Sequence, residues 1–254
     1  MNIRGKHFLV LSFLLPIAAC GAYFGPQAVF YLRVRQLAMP VWWSRAPVAL
    51  MDTTASSAPG TELSYFGYKF EVPWVGVVNE AEEGRWAKVR FAGGQEVAFA
   101  NPQLSQTDPL LEHAEQDPSV SQTVLRPIHA GSRYEHLEAV LTMTPSKIAP
   151  FLSRRDFNRS RAYLEAKGTY LEHSGATDIY HIESGSWKGF EVSGIEYNGR
   201  ATIVLFDSAD REFNISISGG NDPRARLTQA DVNRVIQSFG VTTSKPVGVR
   251  QQQP

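Results

Sequence analysis

WKGFEVSGIEYNGRATIVLFDSADREFNISISGGNDPRARLTQADVNRVIQSF, residues Trp187–Phe239, carries the clearest folding signals in the chain. Within it, Glu212–Ser218 alternates polar and apolar side chains, which is typical of a strand with one buried face. The preceding run, Ala201–Asp207, is apolar on both faces and rich in β-branched residues, as expected of an interior strand. Turn-type residues separate the two runs, so the segment predicts a β-hairpin.

An amphipathic helix is predicted directly after this hairpin. Thr228 is placed as its N-cap, and Asp231 three residues later supplies the acidic half of a capping box. Gly240 is placed to end the helix. One apolar stripe is formed by Val232, Val235, Ile236 and Phe239. A helix with one such stripe needs a surface to cover, and the hairpin supplies it.

The earlier part of the chain alternates between strand-rich and helical regions. Leu63–Trp74 is read as a strand that ends at Pro73, and Gly93-Gly94 joins a predicted hairpin. The further strand signals are Trp86–Phe91, Gln95–Asn101, Thr177–Ser184 and Lys188–Ile195. Helices are predicted from Asp108-Pro109 to about Glu115, from Ser132, and from Ser153 to His173.

This order predicts an α+β fold, in which an antiparallel sheet packs with helices. We assign residues 63–241 to one globular domain, with a helical insertion at 132–173. Residues 33–62 are predicted to be a connector that includes the Ser/Thr/Pro/Gly-rich run Asp52–Thr61, a flexible lead into the domain. Residues 242–254 are predicted to be a disordered tail.

Residues 1–32 carry a membrane signal. Arg4 and Lys6 precede Phe8–Leu32, which contains no Asp, Glu, Lys or Arg. In one interpretation this is a signal peptide whose Ile17-Ala18-Ala19-Cys20 resembles a bacterial lipobox, and Cys20 becomes the site of lipid attachment. In the other, the apolar run is a transmembrane signal anchor, long enough to cross roughly 30 Å of hydrocarbon. Both interpretations predict a membrane-anchored, extracytoplasmic domain.

Composition and motifs exclude several classes of function. The 25 basic and 25 acidic residues balance, so no bulk attraction to nucleic acid is expected. Cys20 is the only cysteine, which excludes disulfides and thiolate metal sites in the mature domain. HExxH, GxSxG, Walker A and GxGxxG motifs are all missing. We therefore predict no catalytic residues, no cofactor and no metal.

The candidate sites that remain are weak. His181 and Glu183 share a strand face, and the alternative is a solvated sheet edge. Asp207, Asp210 and Glu212 surround a hairpin turn; calcium binding would need more oxygen ligands, so a polar turn is the simpler interpretation.

A group of basic residues in one helical segment is the surface feature of most interest. Its members are Arg154, Arg155, Arg159, Arg161 and Lys167, against Asp156 and Glu165. Such a face could contact anionic lipid headgroups near the tether or an acidic partner. The alternative is an ordinary solvated helix face.

The succession of FGYKFEVPW, then ATIVLFDSADREFNISIS, then a last helix ending in VNRVIQSF resembles PsbP-like and DcrB-like domains. The chain is also similar to bacterial membrane-anchored proteins that carry a YFGYKFEVPW-type block. These resemblances imply an α/β/α sandwich with a non-enzymatic assembly or binding role outside the cytoplasm. They transfer no site residues.

The resulting expectation is a membrane-tethered extracytoplasmic domain that binds an envelope protein partner or assists assembly. A second hypothesis is a carrier or sensor of a small apolar ligand, with Tyr65, Phe66, Trp74 and Trp86 lining the pocket. A third is a hydrolase whose site the sequence does not reveal.

Overall fold

The structure is a computed structural model that describes residues 20–22, 24–32, 44–51, 53–104, 131–148, 153–174, 177–220 and 225–242. The strands are β1 (Val48–Ala49), β2 (Thr61–Tyr65), β3 (Tyr68–Val72), β4 (Val77–Glu83), β5 (Trp86–Phe91), β6 (Glu96–Ala100), β7 (Asp178–Ser184), β8 (Trp187–Ser193), β9 (Arg200–Phe206), β10 (Glu212–Ser218) and β11 (Gly240–Val241). The helices are α1 (Arg133–Thr142), α2 (Arg154–Ser174), α3 (Ile195–Asn198) and α4 (Gln229–Ser238), with a 3₁₀ turn at Pro145–Lys147.

Residues 20–22 and 24–32 are also helical. In the described ranges, no helix combines the length and apolar character needed to cross a membrane. Most of the predicted membrane segment lies outside those ranges, as do the predicted helix that begins at Asp108-Pro109 and the tail from residue 243.

The large sheet has eight strands in the order β1-β7-β8-β9-β10-β6-β5-β4. All neighbouring pairs are antiparallel except β1 and β7, where Val48 and Ala49 lie beside Tyr180 and His181 in parallel. The predicted β9–β10 hairpin is present, with Ala201 opposite Ile217. The prediction of an α+β fold is therefore confirmed.

The segment Leu63–Trp74 is not one strand, and that prediction is wrong. It forms the hairpin β2–β3, which belongs to a separate sheet with the order β11-β3-β2. The chain reverses at Phe66 and Gly67, whose φ values are 53° and 86°. A non-glycine residue seldom adopts such a φ, so Phe66 does not signal a turn in the sequence.

The main core lies between the two sheets. Its apolar side chains come from β2, β3, β5, β6, β7, β9 and β10, and α4 adds Val232, Val235 and Ile236. Phe239 occupies the centre, with its ring centroid 4.9 Å from that of Trp187 and 5.5 Å from that of Phe213. Edge-to-face contacts of this kind stabilise a core beyond the area that they bury.

A second core lies on the opposite face of the large sheet, under α1 and α2. Tyr134, Leu137 and Leu141 of α1 and Leu171 of α2 cover side chains of β7, β8 and β9. The sheet residues in this core are Ile179, Phe190, Val192, Val204 and Phe206. Helices α1 and α2 therefore form a layer on this face of the sheet.

Helix α4 has the predicted start but a different end. The Thr228 hydroxyl accepts from the Asp231 amide, and the Asp231 carboxylate accepts from the Thr228 amide, which completes the capping box. The helix ends at Ser238, and Gly240 pairs with Lys69 as part of β11. Gly240 therefore does not terminate the helix; the extended backbone of Phe239 does, because this residue turns into the core.

Residues 53–58, here called the strap, are bound along α4. The Ser56 amide donates to the Ala230 carbonyl at 2.8 Å, and Asn233 Nδ2 donates to the Thr54 carbonyl at 3.0 Å. Arg234 donates to the carbonyls of Ser56 and Ala58, and Gln237 donates to the carbonyl of Thr53. The strap, which is part of the predicted flexible lead, is thus bound to α4, because polar side chains of α4 donate hydrogen bonds to its carbonyl groups.

Candidate functional site

The predicted basic residues lie at the N-terminal end of α2. Ser153 caps this helix, since its hydroxyl accepts from the Asp156 amide at 3.1 Å. Arg155, Arg159 and Arg161 are exposed, and the side chain of Arg154 is outside the described part of the structure.

The arginines do not form a single stripe. Arg159 and Arg161 are two residues apart, so they point in directions that differ by roughly 200° around the helix. Arg159 Nε donates to the Tyr163 hydroxyl at 3.2 Å, and its guanidinium lies 5.3 Å from the centre of that ring. Arg161 forms an ion pair of 2.8 Å with Glu165. The surface therefore has two basic sides.

Lys167 is not part of this basic surface, contrary to the prediction. Its side chain is fully buried, and its Nζ donates to the carbonyl of Met143 at 2.8 Å and to the carbonyl of Arg45. Burial, with a smaller contribution from Lys147, lowers the pKa of Lys167 to about 8. Helical spacing brings this residue to the apolar side of α2, where backbone carbonyls replace water around the amine.

The helical residues 24–32 contact α2 through Phe30. Its ring centroid lies 5.5 Å from that of Phe157 in an edge-to-face arrangement, and it packs beside the buried cluster of Ile148, Phe157 and Leu164. The Arg161 guanidinium lies 5.4 Å from the centre of the Phe30 ring. The segment that precedes the domain thus meets the basic end of α2 directly.

The same helical segment exposes apolar side chains. Phe24, Val29 and Leu32 are exposed by 37%, 56% and 45% respectively. The thiol of Cys20 is also exposed. These exposed apolar side chains and the exposed arginines at the N-terminal end of α2 are together called the α2 surface: Phe24, Val29, Leu32, Arg155, Arg159 and Arg161.

The three acidic residues around the hairpin turn all have structural partners. Asp207 accepts from the Ala209 and Arg211 amides and pairs with the Arg211 guanidinium. Asp210 accepts from Ser132 Oγ and from the amides at the start of α1. Glu212 accepts from Asn214 at 2.7 Å. These contacts account for all three side chains as structural groups.

His181 and Glu183 do lie on one face of β7, beside α1. His181 Nε2 is 2.5 Å from the Tyr134 hydroxyl, and Lys188 Nζ is 3.8 Å from the centre of the Tyr134 ring. Burial, aided by Glu138 and Glu183, raises the pKa of Tyr134 to about 12. The hydroxyl therefore stays protonated at neutral pH, and its contact with His181 links α1 to β7.

Glu191, which the sequence analysis did not single out, is the most unusual ionisable group in the domain. It is fully buried in β8 on the side of α4, and its Oε2 accepts from Gln229 Nε2 at 2.8 Å. Within the described residues its Oε1 has no hydrogen-bond partner. Burial raises the pKa of Glu191 to about 7, although the side chains of Gln229 and Ser193 oppose this shift. The sequence offers little signal of this burial, because a glutamate between Phe190 and Val192 has the alternation typical of a strand with one solvated face.

Three of the four aromatic residues proposed as a pocket lining, Tyr65, Phe66 and Trp74, pack into the core instead. Tyr65 is buried, and its hydroxyl donates to Glu80 at 2.6 Å. Phe66 lies 6.0 Å from Phe99 between ring centroids, and Trp74 lies 5.6 Å from Phe91. Trp86 is 38% exposed on β5. These contacts fill space between the sheets and leave these rings little surface for a ligand.

Over the described ranges, no group of three or more His, Cys, Asp or Glu side chains is arranged to hold a metal ion. The clearest candidate in the described part of the chain is the α2 surface. No protein-family model matches the chain, and no curated protein sequence is significantly similar to it, so proposals about its function rest on its own residues.

Proposed function

We propose that this chain is a membrane-tethered extracytoplasmic domain with a non-catalytic binding or assembly role at the cell envelope. In this proposal residues 1–32 provide the tether, either as a lipoprotein signal ending at Cys20 or as a signal anchor. The α2 surface then faces the membrane and contacts anionic headgroups. The domain presents its remaining surfaces to a partner.

The contact of Phe30 with Phe157 and Arg161 carries the proposal. This contact brings the end of the apolar segment and the basic end of α2 to one place on the molecule. A tether that enters a bilayer from this place would hold the N-terminal end of α2, which carries arginines on both of its sides, near the headgroups. Each arginine near an anionic leaflet contributes about 1 kcal/mol of attraction.

The sandwich interpretation and the alternatives remain predictions. Two helices on one face of the large sheet, and a smaller sheet with α4 on the other, support a layered α+β architecture related to PsbP-like and DcrB-like domains. The apolar-ligand carrier has less support, because Tyr65, Phe66 and Trp74 pack against other core groups. The hydrolase hypothesis has less support, because Glu191, the carboxyl group with the raised pKa, is fully buried away from solvent.

Partition of the purified full chain into lipid vesicles tests the role of α2. We expect tighter partition into phosphatidylcholine vesicles that contain phosphatidylglycerol than into pure phosphatidylcholine vesicles, with the difference reduced by 0.5 M salt. Reversing two charges in Arg155→Glu/Arg159→Glu should weaken partition into the anionic vesicles by at least about tenfold, following the energy per arginine. Partition into neutral vesicles should not change.

The double variant Arg85→Glu/Arg200→Glu is the matched control. Both arginines are exposed and lie away from α2 in the sequence. Arg85 is in the turn between β4 and β5, and Arg200 is the first residue of β9. It changes net charge equally and should leave the preference for anionic vesicles intact. If both double variants lose that preference to the same extent, net charge is responsible and the α2 surface has no specific role.

A further inference from the structure

The carboxyl group of Glu191 is enclosed between the large sheet and α4. β8 is paired with β7 on one side and with β9 on the other, and Tyr180 and Ile203 lie directly opposite Glu191 on these two strands. On the side of α4, Gln229 Nε2 donates to Glu191 Oε2 at 2.8 Å. Because both edges of β8 are hydrogen-bonded, water reaches this carboxyl group more easily from the side of α4 than through the sheet.

A short chain of amide groups connects this carboxyl group with the strap. Gln229 Nε2 lies 2.8 Å from Glu191 Oε2 and 3.2 Å from Asn233 Oδ1, and it donates to both. Asn233 is itself buried, and its Nδ2 donates to the Thr54 carbonyl at 3.0 Å. The carboxyl group and the Asn233 amide are therefore neighbours, because they bind the same nitrogen atom.

The two protonation states of Glu191 need different partners. A protonated carboxyl group is both a donor and an acceptor, whereas a carboxylate only accepts and needs donors at both oxygens. Within the described residues, Glu191 Oε1 has no hydrogen-bond partner. A buried carboxylate with too few donors is far more costly than the neutral group. Burial accordingly raises the pKa of Glu191 to about 7, and the side chains of Gln229 and Ser193 offset this rise only in part.

The ionisable group nearest to Glu191 across the sheet stays neutral. This group is Tyr180 of β7, whose pKa is raised first by burial and then by Asp178, Glu191 and Glu196. Its hydroxyl therefore keeps its proton at neutral pH. Asp178 has its own partner, because it forms an ion pair of 2.8 Å with Arg45.

The other elements around Glu191 add no free charge to this place. On α4, Asp231 belongs to the capping box, and Arg234 forms an ion pair of 3.0 Å with Glu71. The residue opposite Glu191 on β9 is apolar, and the strap contains no ionisable side chain. His181 of β7 contacts α1 on the other face of the sheet. Of these groups, Glu191 is the one whose charge depends on the packing of α4 and the strap.

We propose that Glu191, Asn233 and the strap form a pH-sensitive latch, in which loss of the Glu191 proton releases the strap from α4. The Asn233 amide turns from the Thr54 carbonyl to the carboxylate, which gains the donor that it needs, and the proton passes to solvent. Protonation of Glu191 reverses these steps. The strap belongs to the predicted connector, so pH determines how firmly this connector is attached to the domain.

The latch is closed at low pH and opens as pH rises. In the closed form Glu191 keeps its proton up to about pH 7, whereas a carboxyl group in contact with water ionises near its ordinary pKa of 4.5. The closed form therefore binds more protons between these two values. Opening becomes easier throughout this window and does not change further above it.

The strap can open without unfolding the domain, because polar contacts hold it. Besides the bond from Asn233, the Ser56 amide donates to the Ala230 carbonyl, and Arg234 and Gln237 donate to strap carbonyls. The apolar side chains of α4 pack into the main core instead. α4 can thus stay on the sheet while the strap leaves it, which is a local opening.

Hydrogen exchange of the Ser56 amide in the full chain, solubilised in detergent, tests the latch. The exchange rate of the parent is divided by that of Glu191→Gln at the same pH, which cancels the intrinsic pH dependence of exchange. We expect this ratio to rise at least about tenfold between pH 4.5 and pH 7.5, since one unit of pKa shift already corresponds to a factor of ten.

Two variants identify the role of Asn233. Asn233→Ala and Gln237→Ala each remove a donor to a strap carbonyl, but only Asn233 is bonded to Gln229. Measured with and without Glu191→Gln, Gln237→Ala should speed exchange at both pH values and keep the rise. Asn233→Ala should speed exchange at pH 4.5 and lose most of the rise. If Asn233→Ala does not fold, Gln229→Ala interrupts the same chain at a half-buried position and should have the same effect.

The amide of Leu205, in the middle of β9, reports larger openings of the sheet. A local opening exposes little surface, so 1 M urea should leave exchange at Ser56 unchanged while it speeds exchange at Leu205. A Ser56 ratio that is independent of pH would overturn the latch, and so would an equal rise in Asn233→Ala and Gln237→Ala. Equal acceleration of Ser56 and Leu205 by urea would show that Glu191 acts only on global stability, which also overturns it.

Discussion

At the scale of single residues, Glu191 shows how burial changes the chemistry of a carboxyl group. Its side chain projects from β8 towards α4, where Gln229 donates a hydrogen bond to it. Gln229 also donates to Asn233 at 3.2 Å, and Asn233 donates to the Thr54 carbonyl. The buried carboxyl is therefore the first member of a hydrogen-bonded chain that reaches the strap. Tyr180 lies directly across from it on β7.

We predict that Glu191 makes the domain less stable as pH rises from about 4.5 to about 7. The folded state holds the proton up to pH 7, whereas the unfolded carboxyl ionises near its ordinary pKa of 4.5. The folded state therefore binds more protons in this window, and the free energy of unfolding falls as pH increases. Each unit of pKa shift corresponds to about 1.4 kcal/mol, so the loss should reach about 3 kcal/mol.

Urea denaturation between pH 4 and pH 8.5 measures this effect. Glu191→Gln keeps an acceptor for Gln229 but cannot ionise, so the variant should lack this part of the pH dependence and should exceed the parent in stability above pH 7. Glu196→Gln is a suitable control, since Glu196 is exposed on α3. Parallel pH profiles for the parent and Glu191→Gln would contradict the assignment.

At the scale of elements, the turn between β9 and β10 holds the start of α1. Asp210 accepts from Ser132 Oγ at 2.7 Å, from the Tyr134 amide at 3.1 Å and from the Arg133 amide. The first amides of a helix have no partner within the helix, and a carboxylate also interacts favourably with the helix dipole. Asp210 and Arg133 are 77 residues apart in the sequence, and their contact fixes the helical layer to the sheet.

We predict that Asp210→Gly lowers the free energy of unfolding by about 1–2 kcal/mol, the usual contribution of a helix cap. Glycine is chosen because Asp210 has a φ of 60°, so an alanine would add backbone strain to the loss of the cap. Asp210→Asn should have an intermediate effect, since it keeps one acceptor and tolerates this φ. Urea denaturation at pH 7 provides the measurement.

Ser208→Gly, in the same turn at an exposed position, is the control for that prediction. It adds the same conformational freedom without touching α1. Equal losses for Asp210→Gly and Ser208→Gly would mean that turn entropy, and not the cap, accounts for the effect.

At the scale of the whole molecule, the two interpretations of the tether predict different chemistry at Cys20. If residues 17–20 are a lipobox, Cys20→Ser abolishes incorporation of radiolabelled palmitate and leaves a larger, unprocessed chain. If the segment is a signal anchor, neither quantity changes. In both cases we expect the native chain to stay with the membrane fraction after an alkaline carbonate wash, and recovery in the supernatant would contradict the tether itself.

The sequence predicts helices and strands better than it predicts which of them pack against one another. The α4 cap, the β9–β10 hairpin and the strands β7 and β8 all follow from residues within a few positions of one another. The hairpin at Phe66 and Gly67 was missed because a phenylalanine with positive φ carries no turn signal. Composition alone puts the arginines of α2 in one group. Only the helix geometry shows that Arg159 and Arg161 point to different sides of α2.

By itself, the sequence determined the β9–β10 hairpin, the start of α4, the mixed α+β class and the exposed character of Arg155, Arg159 and Arg161. Only the tertiary structure decided that Lys167 and Glu191 are buried, that Asp210 caps α1 and that the strap lies on α4. Capping and alternation depend on neighbouring residues, which the sequence displays directly. Burial and partner choice depend on which distant segments the sheets bring together, and no local pattern encodes that arrangement.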